Sequence, residues 1–368
     1  MIPVCTPTLT GKEWEYVKSC FDKNFIGSTG EYIQKFEDAF AKFCECKYGV
    51  TTTSGTTALH LAVASAGLKK GDEIIMPSFT MMASANAAIY EGVKPIVVDA
   101  DAETWTINPS LIEEKITERT KAIMPVHIYG HPCDMDPLLK IAKKHNLIVI
   151  EDAAEAHGAL YNNKKVGSFG EINCFSFYGN KIITTGEGGM IVTNNKELAE
   201  RAQLLKNLAF TKPRFYHHEL GFNYRMTNIQ AAIGLAQFES IEKFIKARRD
   251  HAKLYNELLK DVKGIQTPPE SKKVRNVYWM YGILIEDSLV LTKDQVMAKL
   301  MEKGVETRCF FLPMNQQPLF LNNQQLANIS GSYPVADNLW KRGLYLPSSS
   351  SLTEEDIHSV VKAIKELK

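Results

Sequence analysis

The sequence predicts an α/β protein in which a mostly parallel sheet is covered by helices on both faces and is followed by a smaller α+β domain. Short β-rich runs alternate with helical stretches between residues 73 and 193, which is the rhythm of βαβ units. These runs are apolar throughout, as strands buried on both faces are. Near residue 235 the pattern changes to long helical periodicity. We therefore expect a large domain over 1–235 and a small domain over 236–368.

Six apolar runs predict the strands of the large domain: EIIM (73–76), PIVVD (95–99), AIMPVHIY (122–129), LIVIED (147–152), CFSFY (174–178) and MIVT (190–193). Helices are predicted between them at 57–67, 81–91, 109–116, 134–145 and 196–207. Several of these helices follow a Thr, Ser, Asn or Asp in the N-cap position, which supports their starting points.

The small domain is predicted to begin with one long or kinked helix after GFNYRMTN (221–228), because apolar residues recur there at three-, four- and longer spacings. The remaining elements are a strand VYWMYGILI (277–285), a helix over 293–303, a strand VETRCFF (305–311) and a C-terminal helix from Thr353. This order of elements is typical of a compact α+β unit.

Composition excludes several classes of protein. The 43 Lys and Arg residues against 42 Asp and Glu give a net charge of +1, and 45% of the residues are hydrophobic, so neither disorder nor nucleic-acid binding through bulk charge is expected. There is no basic leader followed by an apolar run and no stretch of about eighteen apolar residues, so we expect a soluble cytoplasmic protein that does not act at a membrane. The seven scattered cysteines indicate reduced thiols. No metal site is expected, and the pair His217-His218 is interpreted as a solvated turn.

A first candidate site is the turn Ser54-Gly55-Thr56-Thr57, which directly precedes the helical run ALHLAVASAG. Free backbone N–H groups and the positive end of the helix dipole at such a turn suit a phosphate group. The alternative is that these residues only cap the helix, which is the commoner role of Ser and Thr at this position.

Two charged residues are predicted to lie at the same edge of the sheet. Asp152 follows a buried strand directly, and Lys181 lies between a strand end and a Gly-rich turn. Taken singly, the aspartate could form a salt bridge or a helix cap, and the lysine could be a solvated surface group. A phosphate turn, a strand-end Asp and a strand-end Lys are together the parts that hold pyridoxal phosphate, with Lys as the Schiff-base residue and Asp pairing with the pyridine nitrogen.

Four segments carry a specific resemblance: SGTTALHLA, EDAAEAHGA, FSFYGNKIITTGEGGM and GFNYRMTNIQAAIGLAQ. They resemble the DegT/DnrJ/EryC1/StrS aminotransferases, the sugar-aminotransferase branch of the fold-type I pyridoxal-phosphate enzymes. The similarity extends over essentially the whole chain. It implies the fold of that class, with a seven-stranded-type sheet, and a homodimer with shared active sites.

The resemblance also implies a role for individual residues. Lys181 would bind the cofactor covalently and Asp152 would contact its pyridine nitrogen. The phosphate would be held by Gly55, Thr56 and Ser176, together with Asn223 reaching across from the second subunit.

Two further positions differ from many relatives. Glu155 stands where many have Gln near the phenolic oxygen of the cofactor, and the members that this chain most resembles also have Glu. Met81 stands where many have an aromatic residue that covers the cofactor ring. A thioether can cover a ring face with less specific geometry. We assign this role to Met81, with Phe79 as the alternative.

The reaction that the resemblance implies is transfer of an amino group from L-glutamate to a nucleotide-linked 4-keto-6-deoxy sugar, with GDP-4-keto-6-deoxy-D-mannose as the expected acceptor. Lys181 argues against a family branch that has His at this position and performs 3-dehydration. Arg214 and Arg308 are candidates for binding the substrate's diphosphate, although such residues are as often solvated. The alternatives are a UDP- or dTDP-linked sugar, another reaction type such as dehydration or formation of an aromatic ring, and a non-catalytic regulatory protein.

Overall fold

The computed structural model describes residues 1–213 and 215–367. Its strands, in chain order, are β1 (Tyr48–Thr52), β2 (Glu73–Pro77), β3 (Lys94–Val98), β4 (Thr120–Ile123), β5 (Ile148–Asp152), β6 (Leu160–Tyr161), β7 (Lys164–Lys165), β8 (Ile172–Ser176), β9 (Gly189–Thr193), β10 (Ile265–Gln266), β11 (Val274–Arg275), β12 (Tyr281–Ile285), β13 (Arg308–Cys309) and β14 (Gly343–Leu346). Its α-helices are α1 (Lys12–Asp22), α2 (Glu31–Phe43), α3 (Gly55–Ser65), α4 (Ala83–Tyr90), α5 (Met135–His145), α6 (Lys196–Lys206), α7 (Asn228–Phe238), α8 (Ile241–Leu259), α9 (Lys293–Glu302), α10 (Pro318–Leu321), α11 (Pro334–Arg342) and α12 (Glu354–Lys365).

The largest sheet in the described residues has seven strands in the order β1-β9-β8-β5-β4-β2-β3. The five strands from β8 to β3 pair in parallel, whereas β9 runs antiparallel to both β8 and β1. The carboxyl ends of parallel strands meet at one edge of a sheet, where open α/β proteins bind their ligands. Asp152 at the end of β5 and Ser176 at the end of β8 therefore lie at the same edge.

Helix α3 is buried almost all round because the sequence ALHLAVAS carries small and apolar side chains on every face. It packs against β8 and β9 on one side and against α4 and α6 on the others. Its start follows β1 after only two residues, so the first turn of α3 is placed at the ligand edge of the sheet.

The smaller sheet is antiparallel, in the order β10-β12-β14-β13, and it packs on α8 and α12 around a core that includes Tyr255, Ile283 and Val360. The short strands β11, β6 and β7 form a third sheet, in which residues 274–275 of the later part of the chain pair with a hairpin of the earlier part.

The first residues of the chain join this later part. Ile2 pairs with Val305, the backbone N–H of Val4 donates to the Glu306 carboxylate, and the N–H of Ser348 donates to the carbonyl of Val4. Residues 2–4 are therefore held by segments that follow them by some three hundred positions.

Many predicted elements are present with shifted ends, but several expectations are wrong. The helix predicted over 109–116 is two short 3₁₀ turns, Pro109–Leu111 and Glu113–Lys115, and the strands predicted over 277–285 and 305–311 are shortened to β12 and β13. The strand predicted over 122–129 ends at Ile123 and is followed only by an isolated bridge of Val126 to Asp152 and a 3₁₀ turn at Ile128–Gly130, whose apolar residues are buried by tertiary packing. The short strand β1 was not predicted at all. The long helix is two helices, α7 and α8, separated at residues 239–240. The predicted division at 235 falls inside α7, and the two-domain division stays a prediction.

Among the described helices, none is both long enough and apolar enough to span a bilayer.

Candidate active site

A cavity of about 410 Å³ opens at the ligand edge of the large sheet. Its walls include the first turn of α3, the ends of β5 and β8, and the turn that carries Lys181. The small sheet contributes Arg308 and Tyr345 to the lining, and Trp279, two residues before β12, also lines the cavity. The cavity thus brings together the charged and phosphate-binding groups that the sequence predicts as neighbours.

Lys181 lies in this cavity with only 10% of its side chain exposed. Its Nζ is 3.6 Å from Oε1 of Glu155 and 3.5 Å from the centre of the Trp279 ring. Burial lowers the pKa of Lys181, and the carboxylates of Glu155 and Asp152 oppose this effect without cancelling it. A lowered pKa favours the neutral amine, which is the nucleophilic form.

Asp152 is the last residue of β5, and its carboxylate is held from two directions. Oδ2 accepts a hydrogen bond of 2.6 Å from the Ser84 hydroxyl, and Oδ1 accepts the backbone N–H of Ala154 at 3.2 Å. Burial raises the pKa of Asp152, while these two hydrogen bonds and the charge of Lys181 lower it. The carboxylate is therefore well placed to pair with a cation inside the cavity.

Glu155 faces Lys181 from the loop after β5. Its Oε2 accepts the backbone N–H of Tyr129 at 2.7 Å. Burial raises its pKa to about 7, against the opposing effect of the Lys181 charge. Glu155 can therefore gain or lose a proton near neutral pH.

The phosphate turn has the geometry of a capping box. The Ser54 hydroxyl accepts the N–H of Thr57, and the Thr57 hydroxyl accepts the N–H of Ser54. The N–H groups of Gly55 and Thr56 have no acceptor within the helix and lie at its positive end. A Cβ on Gly55 would lie 2.6 Å from Cβ of Ser176, so only glycine allows β8 to approach the turn this closely.

Met81 and Phe79 occupy different environments. Met81 lines the cavity, and 51% of it is exposed. Phe79 is 1% exposed and packs against the rings of Tyr129 and Phe310 in the core. The geometry favours Met81 as the residue that covers a bound ring.

The remaining sequence-predicted residues are spread out. Arg308 on β13 lines the cavity and has one weak ionic contact of 3.4 Å with Glu306. Asn223 lies outside the set of described residues that line the cavity of its own chain, and its Oδ1 accepts two N–H groups of Arg225. Arg214 lies outside the described residues.

A buried pair lies directly behind Asp152. Nε2 of His127 is 2.9 Å from Oε2 of Glu151, and neither side chain is exposed. The backbone N–H of Cys133 donates to Nδ1 of His127, so Nδ1 carries no proton and Nε2 donates to Glu151. Glu151 also accepts backbone N–H groups of residues 167, 169 and 170. This network ties the loop after β4 to the strand end that carries Asp152.

Sequence reasoning missed Trp279, Tyr345 and Ser84. Trp279 was interpreted as part of a strand, and Tyr345 lies in a strand that was not predicted. Ser84 lies in the first turn of α4, and it was not singled out from the sequence. A buried serine beside a cavity wall carries no pattern of its own in a single sequence.

The chain also matches a known protein family over nearly its whole length. The sequence profile of the DegT/DnrJ/EryC1/StrS aminotransferase family matches residues 7–365. The chain belongs to this family. The family predicted from the four motifs is thereby confirmed.

Relatives within the family share most of their length with this chain. GDP-perosamine synthase of Escherichia coli O157:H7 is 47% identical over 366 residues, which are 99% of this chain and 98% of that protein. GDP-perosamine synthase of Caulobacter vibrioides is 46% identical over 368 residues, or 100% of this chain and 98% of that protein. The solved structure of DesV from S. venezuelae superposes with a TM-score of 0.91 at 31% identity and covers 99% of this chain and 98% of its own. The predicted fold class and the prediction of an aminotransferase are confirmed.

Proposed function

We propose that this family member uses pyridoxal phosphate to move the amino group of L-glutamate to C4 of GDP-4-keto-6-deoxy-D-mannose, which gives GDP-perosamine. The observation that carries the proposal is the burial of Lys181 and Asp152 in one cavity that also contains the first turn of α3. The names of the two relatives at 46% and 47% identity support the choice of sugar. The cytoplasmic location that the sequence predicts for this protein stays a prediction.

The residues present fit the cofactor. The cavity offers a buried amine for a covalent bond, a carboxylate for the ring nitrogen, and the N–H groups of Gly55 and Thr56 with the Ser176 hydroxyl for a phosphate. Because Gly55 has no side chain, Ser176 can lie close to the N–H groups of the turn. When bound, pyridoxal phosphate supplies a ring that accepts electrons from a carbon that loses its proton.

The chain's own residues supply the proton chemistry. Asp152 stabilises positive charge on the ring nitrogen, because a buried carboxylate favours a nearby cation. Lys181, whose pKa is lowered by burial, would take up and return the proton of the substrate carbon that bears the amine. Glu155, whose pKa is about 7, accepts and releases protons beside Lys181. One water is consumed when glutamate leaves as 2-oxoglutarate, and one water is released when the sugar gives up its keto oxygen, so the exchange balances.

The described lining of the cavity offers few cations to ligands that are anionic. The described residues that line it include three carboxylates, Asp152, Glu155 and Glu187, against the cations Lys181 and Arg308. The proposed ligands carry a phosphate, a diphosphate and the donor's carboxylates, all anionic. We assign Arg308 to an anionic group of the substrate, and we propose that a homodimer brings Asn223 of the second subunit to the cofactor phosphate. Arg214 is kept as a further proposed contact for the diphosphate.

Attachment of the cofactor can be tested without substrate. Reduction of the protein with borohydride in the presence of pyridoxal phosphate, followed by peptide mapping, should place the label on Lys181. Lys181→Ala should remove the label, and Lys121→Ala, at an exposed lysine, should retain it. A label on any other lysine would contradict the assignment.

The acceptor is tested by comparing specificity constants. Purified protein, L-glutamate and GDP-, UDP- or dTDP-linked 4-keto-6-deoxy sugars are mixed, and the amino-sugar product is identified by mass spectrometry. We expect at least about a tenfold preference for the GDP-linked sugar, equivalent to about 1.4 kcal/mol. The same preference for a UDP- or dTDP-linked sugar would overturn the GDP assignment, and the absence of transfer to every sugar would favour a non-catalytic protein.

A further inference from the structure

We propose that Ser84 is a positioning residue for Asp152, and that Thr80 and Ser84 form a hydroxyl relay that holds the carboxylate ionised and in one orientation. This inference rests on the proposed function, in which Asp152 stabilises a cationic ring nitrogen. It concerns two hydroxyl groups to which neither the sequence patterns nor the relatives' names assign a role.

The contact between the two side chains is short and fully buried. The Ser84 hydroxyl lies 2.6 Å from Oδ2 of Asp152, and Ser84 is 0% exposed. Ser84 lies in the first turn of α4, whereas Asp152 ends β5. The hydrogen bond therefore joins two separate elements of the fold at the place where the charge is needed.

The direction of the relay follows from counting hydrogens. An ionised carboxylate can only accept, so Ser84 must donate its one hydroxyl hydrogen to Asp152. The Thr80 hydroxyl lies 3.2 Å from the Ser84 hydroxyl, and it must then be the donor in that pair. With Asp152 ionised, the hydrogens therefore run from Thr80 to Ser84 to Asp152.

Ser84 acts through Asp152 rather than on a ligand. Among the described residues that line the cavity are Thr80, Met81 and Ala83, but Ser84 is not one of them. It lies behind the carboxylate and does not face the open volume. A change at Ser84 should therefore alter the charge and orientation of Asp152 without removing a contact to substrate.

Loss of the hydroxyl should have a definite consequence. Burial already raises the pKa of Asp152, and the Ser84 hydrogen bond is the largest of the effects that lower it. A buried carboxylate oxygen without its donor becomes costly, which favours the protonated acid. A protonated Asp152 is neutral and cannot stabilise a cationic ring nitrogen.

The chain offers a matched control. Ser65 is also a buried helical serine, but its hydroxyl has no hydrogen-bond partner among the described residues. Ser84→Ala and Ser65→Ala therefore remove the same atom from similar environments, one bonded to Asp152 and one unbonded. Ser84→Thr keeps the hydroxyl. Thr80→Val removes the first donor of the relay and also alters the cavity wall, so its ¹⁵N titration rather than its rate reports on Asp152.

Two measurements test the proposal. The first is the single-turnover rate of the reaction with L-glutamate. The second is the ¹⁵N chemical shift of ¹⁵N-labelled pyridoxal phosphate in each variant between pH 6 and pH 9, which reports the protonation of the ring nitrogen independently of activity. Ser84→Ala should react at least about tenfold more slowly and should lose the protonated-nitrogen signal at lower pH than the unmodified protein. Ser84→Thr and Ser65→Ala should stay within about threefold of the unmodified protein.

Wild-type rates and ¹⁵N shifts in Ser84→Ala would overturn the relay and leave the proposed function intact. Failure of the unmodified protein to bind the labelled cofactor or to react with any amino donor would overturn both. If Ser84→Ala does not fold, the ¹⁵N titration of Thr80→Val decides: a shifted titration supports the relay, and an unchanged titration contradicts it.

Discussion

Nζ of Lys181 lies 3.6 Å from Oε1 of Glu155, and each side chain is no more than 10% exposed. An amine with a lowered pKa thus faces a carboxyl group with a raised pKa across a short gap. Both shifts have burial as their largest cause, and both weaken the charged forms of the pair relative to the neutral forms.

The first prediction concerns pH-dependent stability. The pKa of Glu155 is about 7 in the folded protein against 4.5 for an ordinary glutamate, so between these values the folded state binds more protons than the unfolded state. The cofactor-free protein should therefore lose up to about 3 kcal/mol of its free energy of unfolding as the pH rises through this range. Glu155→Gln cannot ionise and should remove most of that loss.

Urea unfolding at pH 5 and pH 8 measures this difference. Glu187→Gln, at an exposed carboxylate in the same cavity, should keep the pH dependence of the unmodified protein. Identical pH dependence in Glu155→Gln and the unmodified protein would show that Glu155 does not titrate in this range.

The second prediction concerns the proposed sharing of each active site between two subunits. Inactive Lys181→Ala chains are mixed with weakened Asn223→Ala chains and allowed to exchange subunits. If Asn223 acts in the partner's site, each mixed dimer has one site with both native residues, and activity should rise to about a quarter of the wild-type value at equal mixing. Lys181→Ala mixed with Asp152→Asn is the control and should give no recovery, because these two residues lie in the same chain's cavity. A monomeric protein, or equal recovery in both mixtures, would contradict the shared site.

The third prediction separates Met81 from Phe79. Met81→Ala should weaken pyridoxal-phosphate affinity several-fold with little change in stability, because Met81 is half-exposed at the cavity. Phe79→Ala should instead cost about 3 kcal/mol or more of the free energy of unfolding, because it leaves a cavity beside Tyr129 and Phe310. Cofactor titration and urea unfolding of both variants check this, and the reverse assignment would appear as weakened binding in a stable Phe79→Ala protein.

The fourth prediction concerns the buried pair of His127 and Glu151. His127→Ala removes the Nε2 donor to Glu151 and leaves a fully buried carboxylate short of one partner, which should cost about 3 kcal/mol of the free energy of unfolding. His145→Ala, which breaks a more exposed contact with Glu113, should cost under about 1 kcal/mol. His127→Gln restores an amide donor and should fall between them. Equal unfolding midpoints for His127→Ala and His145→Ala would show that Glu151 is satisfied by its backbone donors alone.

The sequence was most informative where local pattern and sheet geometry agree. Asp152 and Lys181 could be placed together because both follow apolar strands, and parallel strand ends share one edge. The turn at Ser54-Gly55 could be predicted because capping chemistry is local.

Contacts between distant segments could not be predicted in this way. Trp279 lies over Lys181 only because the small sheet closes the cavity, and no spacing in the sequence encodes that closure. The strand predicted over 122–129 was too long because its apolar residues are buried by tertiary packing after the strand has ended. The pairing of Ser84 with Asp152 likewise depends on the approach of α4 to β5 and not on either segment alone.

The placement of residues 2–6 has a consequence for how the protein is made. Val4 and Thr6 are held by Glu306, Ser348 and Ser349. During synthesis Val4 can gain its bond to Glu306 only after residue 306 has left the ribosome, and Thr6 its bond to Ser349 only after residue 349 has done so. Between them, the Sγ of Cys5 lies 3.4 Å from the carbonyl of Asn180, the residue before Lys181. The surroundings of that lysine are therefore complete only after residue 349 has been synthesised, and a chain that terminates earlier lacks them.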